Sequence, residues 1–207
     1  MDRKIVIYCY RMTHDYGINP CAFTEKHEPT PDLLTEGGCM SRIRKGIYRE
    51  WREKIREETA DVYLMAIAGH SRDNGRTRNK RGAFISPKYQ HLIFVAKISD
   101  VISRTDYLTG PLSLGRQDAL AYKKWWPNHG IDDSEYVLVS KKFSYFGKNP
   151  KEISDEVLEF FPKGIGHRKW EVSRANKDLL APLISTIKVN LSEINHIEEA
   201  YHPQKLK

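Results

Sequence analysis

Short apolar runs separated by polar stretches dominate the hydrophobic pattern of this chain. Four of the runs are rich in β-branched and aromatic residues, which favour strands. They cover residues 5–10, 61–69, 89–99 and 136–140. The second run is apolar over nearly its whole length and predicts a buried strand.

A helical period appears between the first and second predicted strands. Its apolar residues lie four positions apart: Ile43, Ile47, Trp51 and Ile55. This spacing predicts a helix over residues 42–59, with Ser41 as its N-cap. Shorter helices are predicted over residues 117–125, 150–161 and 173–187, the last interrupted by Pro182, and residues 100–107 are predicted to be a turn or short helix.

The mixture of short strands and helices predicts an α+β fold, built as a small bent mixed sheet or a β-barrel flanked by helices. Residues 18–38 are rich in proline and glycine and predict an irregular loop. We expect one domain over residues 1–188, followed by a polar C-terminal tail or helix over residues 189–207.

The composition is ordinary for a globular protein and excludes two classes. Hydrophobic residues make up 40% and charged residues 29%, unlike a disordered chain. No apolar segment approaches the roughly 20 residues that span a bilayer, and no apolar signal core follows Met1, so we expect a cytoplasmic protein with no membrane partner. Cys9, Cys21 and Cys39 are odd in number and lack zinc-site spacing, so we expect reduced thiols and neither metal nor cofactor.

The formal net charge of +7 indicates what kind of partner the protein could bind. A basic excess favours polyanions through electrostatic steering and counterion release. The same excess can serve solubility alone, so charge by itself leaves both interpretations open.

A histidine and a cysteine are the first candidates for chemistry. Thr13, His14 and Asp15 follow the first predicted strand, where a rigid scaffold presents side chains, and Cys39 is the plausible nucleophile in this region. An imidazole lowers the cost of forming a thiolate and positions its attack. His14, Asp15 and Cys39 are therefore candidate catalytic residues. The alternative is that His14 caps a turn and Cys39 packs as a small hydrophobic residue.

The polar loop after the second predicted strand is dense in positive charge. Its basic residues fall within ten positions: Arg72, Arg76, Arg78, Lys80 and Arg81. Such a loop can follow a phosphate backbone, each contact adding salt-sensitive affinity, although charge runs are also typical of solvated loops. His70 and Ser71, at the end of the buried strand, are candidates to face a pocket; the alternative for His70 is a satisfied hydrogen-bonding role.

An aromatic turn offers a second binding element. Tyr145, Phe146 and Lys148 surround a glycine and could stack a base and hold a phosphate, or the two rings could form an aromatic corner of the core. Adjacent residues on a regular element do not share a face, so at most one of Trp125 and Trp126 is expected to be a stacking platform.

Glycines before His167 and Arg168 permit close approach of the backbone to a phosphate, which adds two cationic candidates. The candidate base pocket then comprises Thr13, His14, His70, Ser71, Tyr145 and Phe146. The candidate phosphate-binding residues are Arg72, Arg76, Arg78, Lys80, Arg81, Lys148, His167 and Arg168.

Several segments, in order along the chain, resemble the nucleotide-modification-associated domain proteins. Residues 10–17 (YRMTHDYG) resemble their opening and residues 92–101 their central strand. A later block over residues 133–153 resembles theirs and closes at residues 166–168. The resemblance covers most of residues 10–168 and implies an association with DNA modification or with defence against it. The basic loop over residues 72–81 and residues 108–133 depart from the pattern.

The central strands also resemble those of EVE and PUA-like barrels. In those barrels a buried strand ends in a short polar step, here residues 68–71, and a second apolar strand follows, here residues 92–96. This resemblance implies a PUA-like β-barrel over residues 1–188, with a small pocket that holds a base or modified nucleotide.

Three functions remain open. The first is a binding module that recognises a base, modified or not, in a pocket while the basic loop holds the phosphates; its partner is a nucleic acid or nucleotide, with DNA preferred. The second is an enzyme acting on a nucleotide or modified base through Cys39 or His14. The third is a structural subunit of a modification or defence assembly, with protein partners.

Overall fold

The computed structural model describes residues 3–12, 17–38, 40–69, 90–125, 135–164, 166–191 and 195–200. The strands are β1 Lys4–Met12, β2 Leu34–Glu36, β3 Ala60–Ala68, β4 Leu92–Ile98, β5 Asp100–Ser103, β6 Tyr136–Ser140, β7 Lys142–Tyr145, β8 His167–Glu171 and β9 His196–Ile197. The helices are α1 Ser41–Arg56, α2 Arg104–Thr109, α3 Gln117–Trp125, α4 Asp155–Leu158 and α5 Ala181–Asn190, with a 3-10 turn over Pro111–Ser113.

Six strands form one mixed sheet in the order β8-β1-β3-β4-β7-β9. β1 and β3 pair parallel, which requires a crossover, and α1 supplies it. β2, β6 and β5 form a small antiparallel sheet. The α+β class is therefore confirmed in its mixed-sheet form. β8 and β9 are the outer strands of the large sheet, so the described strands form open sheets and do not close into the PUA-like barrel.

Helix α1 confirms the four-residue apolar stripe, and it corrects both predicted ends. Ile43, Ile47, Trp51 and Ile55 are all buried against the sheet. Ser41 is the first helical residue rather than the N-cap; Met40 holds that position in a left-handed conformation, with φ of 53° and no side-chain capping bond. The helix ends at Arg56 because the chain turns into positive φ two residues later.

The large sheet is covered on both faces, which explains why its central strands are almost continuously apolar. Tyr8 and Tyr10 point to the face covered by α1. Ile7 and Cys9 point to the opposite face and pack with the residues of α4 and α5. The four predicted strands correspond to β1, β3, β4 and β6.

Four local predictions differ from the structure. The helix predicted over residues 150–161 is only the single turn α4, because the Ser154 hydroxyl accepts a hydrogen bond from the Val157 backbone N–H and starts it there. Residues 100–107 contain strand β5 before helix α2, which begins where the Ser103 hydroxyl accepts a hydrogen bond from the Asp106 backbone N–H. Pro182 lies in the first turn of α5 and starts this helix instead of interrupting it, because its missing N–H is not needed there. The region predicted as a tail contributes β9, which pairs with β7.

A buried polar cluster fastens the loop before α1 to helix α3. Asp118 is fully buried and accepts hydrogen bonds from the Thr35 hydroxyl at 2.6 Å and the Tyr107 hydroxyl at 2.7 Å. The Arg116 guanidinium lies beside it, with 3.7 Å between Nε and Asp118 Oδ1. Arg116 also donates to Thr35 Oγ1 at 2.9 Å and to the Cys21 carbonyl at 2.7 Å. These hydrogen bonds hold the loop before α1 in one conformation, although it contains little regular secondary structure.

Within the described ranges, no helix combines the length and the apolar character needed to cross a membrane.

Candidate functional site

The parallel strands β1 and β3 end side by side. Met12 pairs with Ala68, and the Gly69 backbone N–H donates to the Met12 carbonyl oxygen at 2.8 Å. A Cβ atom at Gly69 would lie 2.3 Å from that oxygen, so only glycine permits this close approach. We call this end of the sheet the carboxyl edge.

Other segments reach the carboxyl edge from different parts of the chain. β8 begins there, with His167 opposite Tyr10. β4 also begins there, with Leu92 opposite Ile67, and the chain leaves β7 there as the Phe146 N–H donates to the Ile93 carbonyl at 2.7 Å. Helix α1 starts at this edge, since it runs back to the opposite end where β3 begins.

Most of the predicted site residues lie outside the described residues: Thr13, His14, Asp15, Cys39, His70, Ser71, Arg72, Arg76, Arg78, Lys80 and Arg81. The described residues that border them are informative. Met12 precedes the first group, Met40 follows Cys39, and Gly69 precedes His70. Met12 and Gly69 are hydrogen-bonded, and Met40 packs on the same core cluster as Met12. Two stretches of sequence, after Met12 and after Gly69, therefore start side by side at this edge, and the third lies next to the first turn of α1.

Tyr145 and Phe146 do not come together. Tyr145 is fully buried beside Phe23, with ring centroids 5.7 Å apart in an edge-on contact. Phe146 packs in the core on the other face of the sheet, 5.3 Å from the His196 ring. The two rings cannot form opposing walls of one pocket in this arrangement, and a base-stacking role for either one stays a prediction.

The described phosphate-binding candidates also separate. Lys148 is exposed and its Nζ pairs with Glu199 at 2.6 Å, a hydrogen bond that raises the pKa of Lys148. Arg168 donates to the Glu159 carbonyl at 2.6 Å and lies on the side of the sheet that holds Cys9. His167 lies on the α1 side, with its ring centroid 6.3 Å from that of Tyr8.

Arg42 is a cation that the sequence pattern did not single out. It is exposed in the first turn of α1, and its charge acts on His167. Burial, and then the Arg42 guanidinium, lower the pKa of His167 below its ordinary value of 6.5. The sequence did contain one indication that Arg42 could matter. Acidic residues are favoured in the first turn of a helix, but the first turn of α1 contains none.

The chain entering α1 is held by packing. A Cβ at Gly37 would lie 2.7 Å from the Tyr122 hydroxyl oxygen, and a Cβ at Gly38 would lie 2.1 Å from Asn19 Nδ2. Tyr122 in turn donates to Asn19 Oδ1 at 2.5 Å. A side chain at either position would displace Tyr122 or Asn19 and break the hydrogen bond between them.

The pairing of His167 with Arg42 gives a direct test of this geometry. Replacing Arg42 with glutamine is expected to raise the pKa of His167 toward 6.5, because a nearby positive charge disfavours the imidazolium. The pKa is measured from the imidazole proton resonances during an NMR pH titration. Lys188→Gln, on helix α5 at the other face, is the matched control. An unchanged pKa in the Arg42 variant would show that the two side chains are not neighbours in solution.

The two described cysteines are not candidates for nucleophilic chemistry. Cys9 and Cys21 are free, buried thiols. Burial raises the pKa of Cys21 to about 12 and that of Cys9 further, so both stay protonated at neutral pH. A search of the described residues also finds no cluster of three or more His, Cys, Asp or Glu side chains that could hold a metal ion.

Comparison with known proteins assigns the family. The family model described as nucleotide modification associated domain 2 matches residues 4–198, which includes every strand and helix of the fold. No curated protein and no solved structure matches the chain. The chain therefore belongs to the nucleotide modification associated domain 2 family, a domain associated with nucleotide modification systems.

Proposed function

We propose that this domain binds nucleic acid at the carboxyl edge, recognising one base, modified or unmodified, while cationic groups hold the adjoining phosphate. The observation that carries the proposal is that the ends of β1 and β3 meet at one edge, and that Arg42, in the first turn of α1, is close enough for its charge to act on His167, which pairs with Tyr10 at that edge. In open sheets with parallel strands, ligands bind outside the carboxyl ends of those strands.

The N-terminus of α1 supports an anionic ligand. The first backbone N–H groups of a helix lack intrahelical partners and carry partial positive charge. Met40 provides no side-chain cap, and no acidic residue occupies the first turn. Arg42 adds a full positive charge where the helix dipole disfavours one. A phosphate bound here would relieve both the missing cap and the unfavourable charge.

The candidates that lie outside the described residues complete the proposal. Thr13, His14, His70 and Ser71 would contact the base, since the chain reaches them directly from the ends of β1 and β3. Arg72 and the basic positions after it would extend the phosphate contacts. Their roles rest on the sequence pattern and on the position of the described residues that border them.

The test is binding of the purified protein to matched DNA duplexes, with and without a modified base, at two salt concentrations. Arg42→Gln is expected to weaken binding about 5–10-fold at low salt and to reduce the salt dependence by about one counterion, because it removes one phosphate contact. Lys188→Gln removes the same charge from the opposite face and should change neither quantity. Equal behaviour of the two variants would contradict the proposed site.

Mass spectrometry of the recovered nucleosides separates a reader from an enzyme. A reader leaves every nucleoside mass unchanged, even after prolonged incubation. A changed mass would contradict simple binding and direct attention to His14 and Cys39. If the protein binds no duplex, single strand or nucleotide, the binding proposal itself fails and a role as a protein-bound subunit replaces it.

A further inference from the structure

The outward face of α1 carries a row of basic residues. The helix contains seven basic and two acidic residues. Five of the basic residues lie within an arc of about 100° on the side of α1 away from the large sheet, at spacings of three and four residues. They are Arg42, Lys45, Arg49, Arg52 and Arg56, which we call the α1 stripe. Two of them reach strand β5 of the small sheet: Arg52 Nε donates to the Val101 carbonyl at 3.1 Å, and Arg56 pairs with Asp100. At 1.5 Å per residue the stripe is about 21 Å long.

The members of the stripe differ in their partners. Lys45, Arg52 and Arg56 each have a carboxylate oxygen nearby, at 3.6, 3.4 and 2.9 Å respectively. Arg42 and Arg49 are exposed, and neither forms an ion pair with any residue that the structure describes. The free charge of the stripe therefore lies at these two arginines, in the part of the helix toward the carboxyl edge.

The like charges of the stripe are neighbours on the helix surface. Side chains three or four positions apart meet, and pairs of the same sign destabilise a helix. Each consecutive pair in the stripe has this relation, from Arg42 with Lys45 to Arg52 with Arg56. Protein carboxylates offset part of this cost at Lys45, Arg52 and Arg56. The remaining cost lies at Arg42 and Arg49, where negative charge from a partner would be most favourable.

From this arrangement we infer that the α1 stripe is a docking surface for duplex DNA. The sugar-phosphate backbone of the duplex would run along α1, starting at the carboxyl edge. The inference deepens the proposed function, because it rests on binding at that edge and names the ligand as a duplex rather than a free nucleotide. A mononucleotide would reach only the start of the helix, whereas Arg49 lies about 10 Å farther along the axis.

Charge density favours a duplex over a single strand. A duplex presents one negative charge per ~1.7 Å of its axis and each strand alone one per ~3.4 Å, so a straight stripe faces more phosphates on a duplex. Surfaces for single strands also combine basic grooves with aromatic platforms on which bases stack. The nearest aromatic side chain on α1, Tyr48, is already stacked on Tyr136 with ring centroids 3.8 Å apart.

The chemistry of the stripe indicates positioning rather than sequence reading. Base edges are read by amide and hydroxyl groups or by bidentate arginines inserted in a groove, whereas contacts to phosphates carry no sequence information. Between Arg42 and Arg56 the stripe presents no amide side chain, and carboxylates of the protein hold three of its five cations. The stripe would therefore bind all duplex sequences alike and leave base selection to the carboxyl edge.

The experiment measures fluorescence anisotropy of a labelled 20-base-pair DNA duplex, the matching single strand and a duplex of RNA. Wild-type protein is expected to bind the DNA duplex most tightly. Arg49→Gln should weaken duplex binding about 5–10-fold at low salt and lower the salt slope by about one, and Arg49→Lys should restore most of the affinity because the charge is kept. Lys188→Gln is the control for charge loss.

The outcomes separate this inference from the proposed function. If Arg49→Gln behaves like Lys188→Gln while Arg42→Gln still weakens binding, the stripe is wrong and the site at the carboxyl edge stands. Preference for the single strand or for RNA would overturn the duplex DNA assignment alone. If the wild-type protein binds none of the three probes, the inference and the proposed nucleic-acid binding both fail.

Discussion

Replacing Asp118 with alanine is expected to destabilise the folded protein by about 3–5 kcal/mol, since it removes one partner from a buried charge pair. Asp118 is fully buried and accepts hydrogen bonds from Thr35 and Tyr107. Without it, the buried guanidinium of Arg116 keeps its charge and loses its counterion. Domains have a free energy of unfolding of about 5–15 kcal/mol, so the loss is a large share of the total.

Urea denaturation followed by tryptophan fluorescence measures this change. Asp32→Ala is the matched control, because Asp32 is an exposed aspartate in the same loop region and its replacement should change the stability by less than about 0.5 kcal/mol. Asp118→Asn, which retains a hydrogen-bond acceptor but not the charge, is expected to fall between the two. Equal stability of Asp118→Ala and Asp32→Ala would show that the cluster does not hold the loop before α1.

Replacing the basic loop residues Arg76, Arg78, Lys80 and Arg81 together with alanine is expected to weaken DNA binding by about 10³-fold at low salt. Each phosphate contact releases roughly one counterion, so the salt slope should fall by about three to four. The loss should be the same for every DNA sequence, because contacts to the backbone carry no sequence information. Anisotropy titrations at several salt concentrations give both quantities.

The matched control removes the same charge from surfaces away from the carboxyl edge: Lys141, Arg174, Lys177 and Lys188. All four control side chains are exposed, so the control variant should fold as well as the wild-type protein. The control variant is expected to lose little affinity, since only long-range attraction changes and salt screens it. An equal loss in both variants would reduce the basic loop to a contributor of net charge, and unchanged affinity in the loop variant would remove it from the binding site.

Helix α1 can carry an unfavourable charge pattern because its apolar face is large. Each like-charged pair costs about 0.2–0.5 kcal/mol, and a cation near the helix N-terminus costs about 0.3–1 kcal/mol. Burial of one large apolar side chain contributes about 1.5–3 kcal/mol, and α1 buries Ile43, Ile47, Trp51 and Ile55. The packing therefore exceeds the electrostatic cost, which leaves the outward face available for a ligand.

Local periodicity predicted α1 and four of the nine strands that the structure describes, and it did not determine where these elements end. The spacing of Ile43, Ile47, Trp51 and Ile55 correctly predicted α1, and continuous apolar runs predicted β1, β3, β4 and β6. The position of Ser41 suggested an N-cap, but the backbone conformation at Met40 decided where the helix starts. A residue that favours the N-cap position, such as Ser41, does not by itself fix the start of a helix. The path of the preceding loop determines which residue begins it.

The aromatic turn shows a rule that the sequence did contain. Adjacent residues on an extended segment point to opposite faces of the sheet. This rule applies to Tyr145 and Phe146, which lie in the cores on opposite faces of the sheet. Their separation therefore follows from their adjacency in the sequence.

The sequence alone determined the α+β class, the excess of positive charge and the resemblance to the nucleotide modification family, because each depends on residue types and local spacing. Only the tertiary structure decided that β1 and β3 pair in parallel and that the large sheet stays open. It also brought Arg42 close enough for its charge to lower the pKa of His167, which lies 125 positions farther along the chain. Such contacts depend on how α1 crosses the sheet, and no local pattern of residues records the direction of a crossover.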